Sequence, residues 1–256
     1  MLEGGAGRGE GRNLDLVARE GADGEKTLPS VLRPSLYVPQ LRNLLVRKTA
    51  LGIAKQLLGP DADFEGDHAI YKPSLTGGVT PWHQDEAFRE PEFEYDEISI
   101  WIAMTDSTLE NGATTYIPGL HELGLLPHRL QGGSKNANTI ECCSGFDPSV
   151  AAVRPIPAGA MIIHHARTVH GAGENRSKFP RLDYILQYST PVRLSKTIRP
   201  APWLKDLRNP VLKERKTSLW RGGFFAEVFR VLRSDRHSAA FFWRRRFNKL
   251  WRWCRR

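Results

Sequence analysis

Cysteine is scarce, with three in 256 residues, and two of these are the neighbours Cys142 and Cys143. Adjacent cysteines rarely meet the geometry that a disulfide requires, so a disulfide scaffold is excluded as the basis of the fold. No CxxC pair or Cys/His zinc spacing occurs, which removes a structural zinc module. The chain also lacks any run of 18 or more apolar residues, and its first residues, MLEGGAGRGEGRN, have no apolar stretch behind the charges. Neither a spanning helix nor a secretory signal is therefore expected, and the cytoplasm is the expected compartment. Internal repeats of fixed period are absent too, which argues against solenoids and propellers.

What is present has the make-up of a soluble globular domain: 40% hydrophobic and 25% charged residues, with a mean hydropathy of -0.42. The net charge of +9 suggests nucleic acid until it is located. Residues 213–256 hold 14 Lys or Arg against 3 Asp or Glu, a net +11, so residues 1–212 carry a net -2. The basicity belongs to the tail and says nothing about what the core binds.

Three segments follow. Residues 1–27, rich in Gly and charge, have too little apolar surface to offset the entropy of ordering and read as a flexible leader. Residues 28–212 form the catalytic domain and 213–256 a basic tail. Between Tyr37 and Leu58, apolar residues recur at three- and four-residue intervals until Gly59-Pro60, which predicts one amphipathic helix. Strand-like segments follow at 68–72, 97–104, 113–117, 160–165 and 182–190. In EISIWIAM, Ile98, Ile100, Ile102 and Met104 alternate with Glu97, Ser99, Trp101 and Ala103, so one face packs and the other turns Trp101 towards something different. Many short strands with long returns predict a mainly β fold with flanking helices, a two-sheet jelly roll.

Two motifs carry chemistry. In TPWHQD, His83 and Asp85 are two residues apart and project from one face of an extended segment. In TVHGAGEN, His170 follows the strand AMIIHH and brings a second imidazole. Two imidazoles and one carboxylate on one face of a metal leave the other face open, the arrangement of non-haem Fe(II) oxygenases. Alone, an HxD is more often a surface hydrogen-bonded pair.

The stretch WHQDEAF, then ISIWIAM, then ENGATTYIPGLHELG, then MIIHHARTVHGAGENRSKFPR resembles, in order and spacing, the phytanoyl-CoA dioxygenase family over roughly residues 70–190. The resemblance implies a double-stranded β-helix, the cupin-like form of the jelly roll. It also implies Fe(II) held by His83, Asp85 and His170, with 2-oxoglutarate as co-substrate and molecular oxygen as oxidant. Arg181 would pair with the far carboxylate of 2-oxoglutarate. Its planar fork suits that role, and Arg176 is the competitor. Two positions depart from the family's pattern: PGSH is PGLH here, and HGSG is HGAG, so hydroxyls are missing at Leu120 and Ala172.

Trp101 and Gln84 are further candidates at the cofactor site. Trp101 either packs in the core or lines the co-substrate pocket, while Gln84, between the ligands, points to the opposite face and would support them. His164, His165 and His121 read as structural, and Asn111-Gly112 as a hairpin turn. The loops 89–95 and 125–149 are expected as lids or substrate walls. Two rivals share the ligand set: a zinc-dependent hydrolase that activates water, and a non-catalytic jelly-roll binding module. On a helix, Trp243, Phe247, Leu250 and Trp251 gather opposite a basic face, so the tail reads as a peripheral contact with an anionic membrane surface, as a solvated amphipathic helix packed on the core, or as a disordered basic end with no specific nucleic-acid preference.

Overall fold

The computed structural model describes residues 13–15, 28–75, 77–133, 139–205 and 207. The basic tail at 213–256 lies outside the described residues, as does most of the expected leader. Within that leader, Asn13–Asp15 nevertheless forms a first strand, β1, antiparallel to β2 (Pro29–Leu32).

The predicted helix is shorter than its apolar period. Pro34 and Pro39 each open a 3-10 turn, Pro34–Leu36 and Pro39–Asn43, and Leu44 is extended at ψ 138. The α-helix α1 therefore spans only Leu45–Leu58, and Gly59 ends it at φ 103. A residue before proline is steered away from helical angles, and Val38 before Pro39 sits at φ -120 and ψ 86.

The remaining strands run in order β3 (Asp63–Lys72), β4 (Thr80–His83), β5 (Phe93–Glu94), β6 (Glu97–Ala103), β7 (Thr114–Tyr116), β8 (His128–Leu130), β9 (Ile140–Cys142), β10 (Ala152–Val153), β11 (Met161–His165), β12 (His170–Ala172), β13 (Arg181–Ser189) and β14 (Arg193–Leu194). Six of the strands make one antiparallel sheet, β1-β2-β3-β13-β6-β11, and four make a second, β10-β7-β12-β4. These two sheets are the walls of a cupin-like double-stranded β-helix.

The alternation read in β6 holds for its three isoleucines, but Met104, expected on the packed face, lies past the end of the strand and is 53% exposed. Ile98, Ile100 and Ile102 pack with Tyr184, Leu186 and Tyr188 against Ala50 and Ala54 of α1, whose small side chains let the helix lie close to the sheet. Trp101 faces the other way and packs with Leu28, Ile70 and Ile185 in the space between the sheets. The first half of β3, DFEGD, lacks an apolar period and gave no strand signal. Its Asp67 is buried because it accepts from Ser35 N and Oγ and from Tyr184 Oη at 2.6–3.1 Å.

Asn111-Gly112 is not a hairpin turn. It lies on the connection from β6 to β7, which belong to different sheets. Gly112 has φ 76, and a Cβ there would meet the Gly173 and Glu174 carbonyl oxygens. Asn111 closes the turn by accepting from Thr108 N and donating to Asp106 O.

Candidate metal centre

His83 ends β4, His170 begins β12, and the two are register partners. Gly171 allows this pairing, because a Cβ there would lie 2.9 Å from the Thr80 carbonyl oxygen. Asp85 opens the 3-10 turn Asp85–Phe88 directly after β4. One ligand atom from each of the three lies within 4.8 Å of the others. Asp85 Oδ1 is 3.6 Å from His83 Nε2 and 3.8 Å from His170 Nε2.

The imidazoles are oriented from behind. His83 Nδ1 is 2.8 Å from the Pro81 carbonyl oxygen and His170 Nδ1 is 2.9 Å from that of Thr168. Carbonyls only accept, so the protons sit on Nδ1 and the Nε2 lone pairs point at the centre. His170 Nε2 is buried with no hydrogen-bond partner among the described residues. A buried acceptor left unpaired costs free energy, and a divalent cation at this point would satisfy both nitrogens and the carboxylate together. The residues fit a metal ion.

Electrostatics favours the same state. Burial first, then His83 and His164, hold the His170 imidazole well below its ordinary range, which keeps it neutral and able to ligate. Burial works to raise the Asp85 carboxyl, but the His170, His164 and His83 imidazoles outweigh it and hold Asp85 well below the usual carboxylate range.

Of the other expected site residues, Trp101 stands with its ring 6.5 Å from that of His170. Together with His83 and Asp85 it lines a cavity of about 170 Å³. Gln84 and Arg181 are not among the described residues that line it. Gln84 is fully buried and faces away from the triad. Its amide donates to the Gly124 and Arg167 carbonyls and accepts from Leu126 N, which ties two loops together behind the ligands. Arg181 is 1% exposed, forms an ion pair with Asp183 at 2.9 Å, and donates through Nη1 to the Gly112 carbonyl.

Several residues around the site escaped the sequence reading. Lys72 is the register partner of Arg181, is fully buried and donates to the Gly173 carbonyl. Burial, then the Arg181 charge, lowers its ammonium to about 7. Lys72, Arg181 and Asp183 are thus packed together in the dry interior, with Glu174 acting on Lys72 as a second carboxylate. His164, expected to be an ordinary strand residue, points inward and its Nε2 lies 3.3 Å from Asp85 Oδ2. The same oxygen accepts from Ser99 Oγ at 2.7 Å. Of the loops expected as walls, Arg89 and Thr139 reach the cavity, but much of its lining comes from β2 and β3 through Leu32, Glu65 and His68.

A family model described as phytanoyl-CoA dioxygenase matches residues 9–182. Among curated proteins, a probable alpha-ketoglutarate-dependent hypophosphite dioxygenase of Stutzerimonas stutzeri is 28% identical over 173 residues, covering 64% of this chain and 58% of that protein. Phytanoyl-CoA dioxygenase domain-containing protein 1 of Mus musculus is 31% identical over 121 residues, covering 46% and 41% respectively. The chain spans about half the length of these curated relatives. Among solved structures, EvdO2 from Micromonospora carbonacea var. aurantiaca has a TM-score of 0.65 at 32% identity, covering 69% of this chain and 73% of that one. Its complex with 2-oxoglutarate gives 0.65 at 29% identity, covering 73% and 82%.

Proposed function

The chain belongs to the phytanoyl-CoA dioxygenase family, and from that membership we propose that it is an iron(II)- and 2-oxoglutarate-dependent dioxygenase that hydroxylates an unactivated carbon of a small organic substrate. The observation that carries this reading is the convergence of His83, Asp85 and His170 with both ring orientations set from behind and one buried Nε2 left without a partner.

When bound, iron and 2-oxoglutarate supply the oxidation, with oxygen consumed and succinate and CO₂ released as a C–H bond becomes C–OH. The chain's own residues do the rest. His83, Asp85 and His170 offer three donors on one side and leave the other side open. Arg181, with Lys72 beside it, holds the far carboxylate of the co-substrate through charge-assisted hydrogen bonds. A carboxylate-binding Arg is what this reading needs and a zinc hydrolase, which needs a bound water but no second carboxylate site, does not. Trp101 and Phe88 exclude water from the cavity where substrate sits, next to His83 and Asp85.

Anaerobic reconstitution tests the reading. Purified protein with Fe(II) is expected to develop a charge-transfer absorption when 2-oxoglutarate is added, and to release succinate once oxygen is admitted. Hydrolytic activity with Zn(II) and no succinate from the Fe(II) form would replace it with the hydrolase.

The basic segment 213–256, by its composition, contacts an anionic membrane surface. Loss of binding to anionic liposomes on truncation after residue 212 is the expected result, and no binding by the full chain at low salt would refute it. No helix among the described residues is long and apolar enough to cross a membrane.

A further inference from the structure

We infer that Ser99 and His164 are positioning residues for Asp85, holding its outer oxygen so that the carboxylate meets the metal through Oδ1 alone. The inference rests on the metal centre proposed above.

The two oxygens of Asp85 see different surroundings. Oδ1 faces the two ligand imidazoles, at 3.6 and 3.8 Å from their Nε2 atoms. Oδ2 is turned to the opposite sheet, where Ser99 Oγ donates to it at 2.7 Å and His164 Nε2 lies at 3.3 Å. Ser99 and His164 are register partners on β6 and β11, so the sheet ladder itself sets the spacing of the two donors. Both are buried, with Ser99 1% and His164 6% exposed.

The roles of the groups are fixed by chemistry. An ionised carboxylate only accepts, so the His164 proton sits on Nε2, and His164 Nδ1 correspondingly has no partner in the interior. The His164 ring has little freedom to turn, with Tyr116 and His170 rings 5.2 and 4.4 Å away. A carboxylate restrained at one oxygen by two donors cannot rotate to chelate a metal with both. The positions that a bidentate co-substrate and oxygen need therefore stay open. Donors of this kind also draw negative charge from the ligand oxygen, which tunes how strongly Asp85 binds the ion.

The test uses the full chain with Co(II) as a spectroscopic stand-in, titrated anaerobically, in Ser99→Ala, His164→Leu and His164→Gln variants. Ser99→Ala and His164→Leu are each expected to weaken Co(II) binding about tenfold or more, with a ligand-field spectrum displaced towards higher coordination number. His164→Gln, whose amide N–H can reach the same oxygen, should keep the wild-type spectrum. A purely structural role would lower Tm and leave the spectrum of the bound ion unmoved. Wild-type affinity and spectrum in folded Ser99→Ala and His164→Leu would overturn the inference while leaving the metal centre standing. Should His164→Leu fail to fold, an unchanged Ser99→Ala decides the matter in the same direction. A wild-type protein that takes up no Co(II) would overturn the centre itself, and the inference with it.

Discussion

His83 and His170 face each other across neighbouring strands, and each ring is fixed in the same way, by Nδ1 against the carbonyl oxygen two residues earlier in its own strand or turn. The pair is pre-aimed before any metal arrives, so little reorganisation is needed on binding.

Replacing His83, Asp85 or His170 by Ala should accordingly abolish tight binding of Fe(II) and all iron-dependent turnover, while far-ultraviolet circular dichroism stays close to wild type. Ligands at an open site contribute to chemistry more than to core packing. Metal content and succinate release check this, and one iron per chain with full activity in His170→Ala would exclude His170 as a ligand.

Arg181→Ala should raise the apparent KM for 2-oxoglutarate at least about tenfold, since losing charge-assisted hydrogen bonds in a shielded site costs roughly 1.5 to 3 kcal/mol. Arg176→Ala should not, because the Arg176 side chain is 81% exposed. Arg181→Ala also leaves Asp183 buried without its partner, which costs about 3 to 5 kcal/mol of stability. Tm should fall as well, and the double variant Arg181→Met with Asp183→Asn should recover Tm without recovering co-substrate affinity. Weakened 2-oxoglutarate binding in Arg176→Ala alone would transfer the role to Arg176.

Burial pushes the His128 imidazole down to about 4, and its Nε2 accepts from Gln84 N at 3.1 Å, a bond that only the neutral ring can take. Below pH 6.5 the unfolded chain binds a proton here that the folded one does not, so stability is lost as pH falls from about 6.5 to 4. The full contribution is about 3 kcal/mol, at 1.36 kcal/mol per unit. Urea denaturation of the metal-free protein between pH 7 and 4 should show at least this fall, and His128→Asn should remove about 3 kcal/mol of it, leaving the part that the likewise lowered His68 and His170 contribute. An equal pH slope in that variant would show that other groups carry the effect.

As a metal ligand, the Asp85 carboxylate would occupy a coordination position and add a negative charge, and both disfavour chloride as a further ligand. The product made in chloride buffer is therefore expected to be hydroxylated. Mass spectrometry reads this directly, and a chlorinated main product would mean that Asp85 does not hold the metal.

The candidate ligands could be read from the chain through the order of motifs that resembles the family, and only the pairing of His83 with Asp85 rests on local spacing. The close approach of the two strands at Gly171 was seen only in the structure, whereas His83 and Asp85, two residues apart in an extended segment, must share a side. The stop of α1 at Gly59 and the two faces of Glu97–Ala103 were legible for the same reason: glycine's conformational freedom and a two-residue period are properties of a few adjacent residues. Strand register is not. Whether His164 or His165 points inward, whether Ser99 meets Asp85, and whether Lys72 lies beside Arg181 all depend on which strands pair and with what offset, and a slip of one residue would reverse each answer. The extra length of Asp63–Lys72 has the same origin, since a buried Asp67 is tolerable only once Ser35 and Tyr184 are brought to it. The candidate triad was thus legible in the sequence, whereas the set of groups that orient its side chains was decided by the pairing of the two sheets.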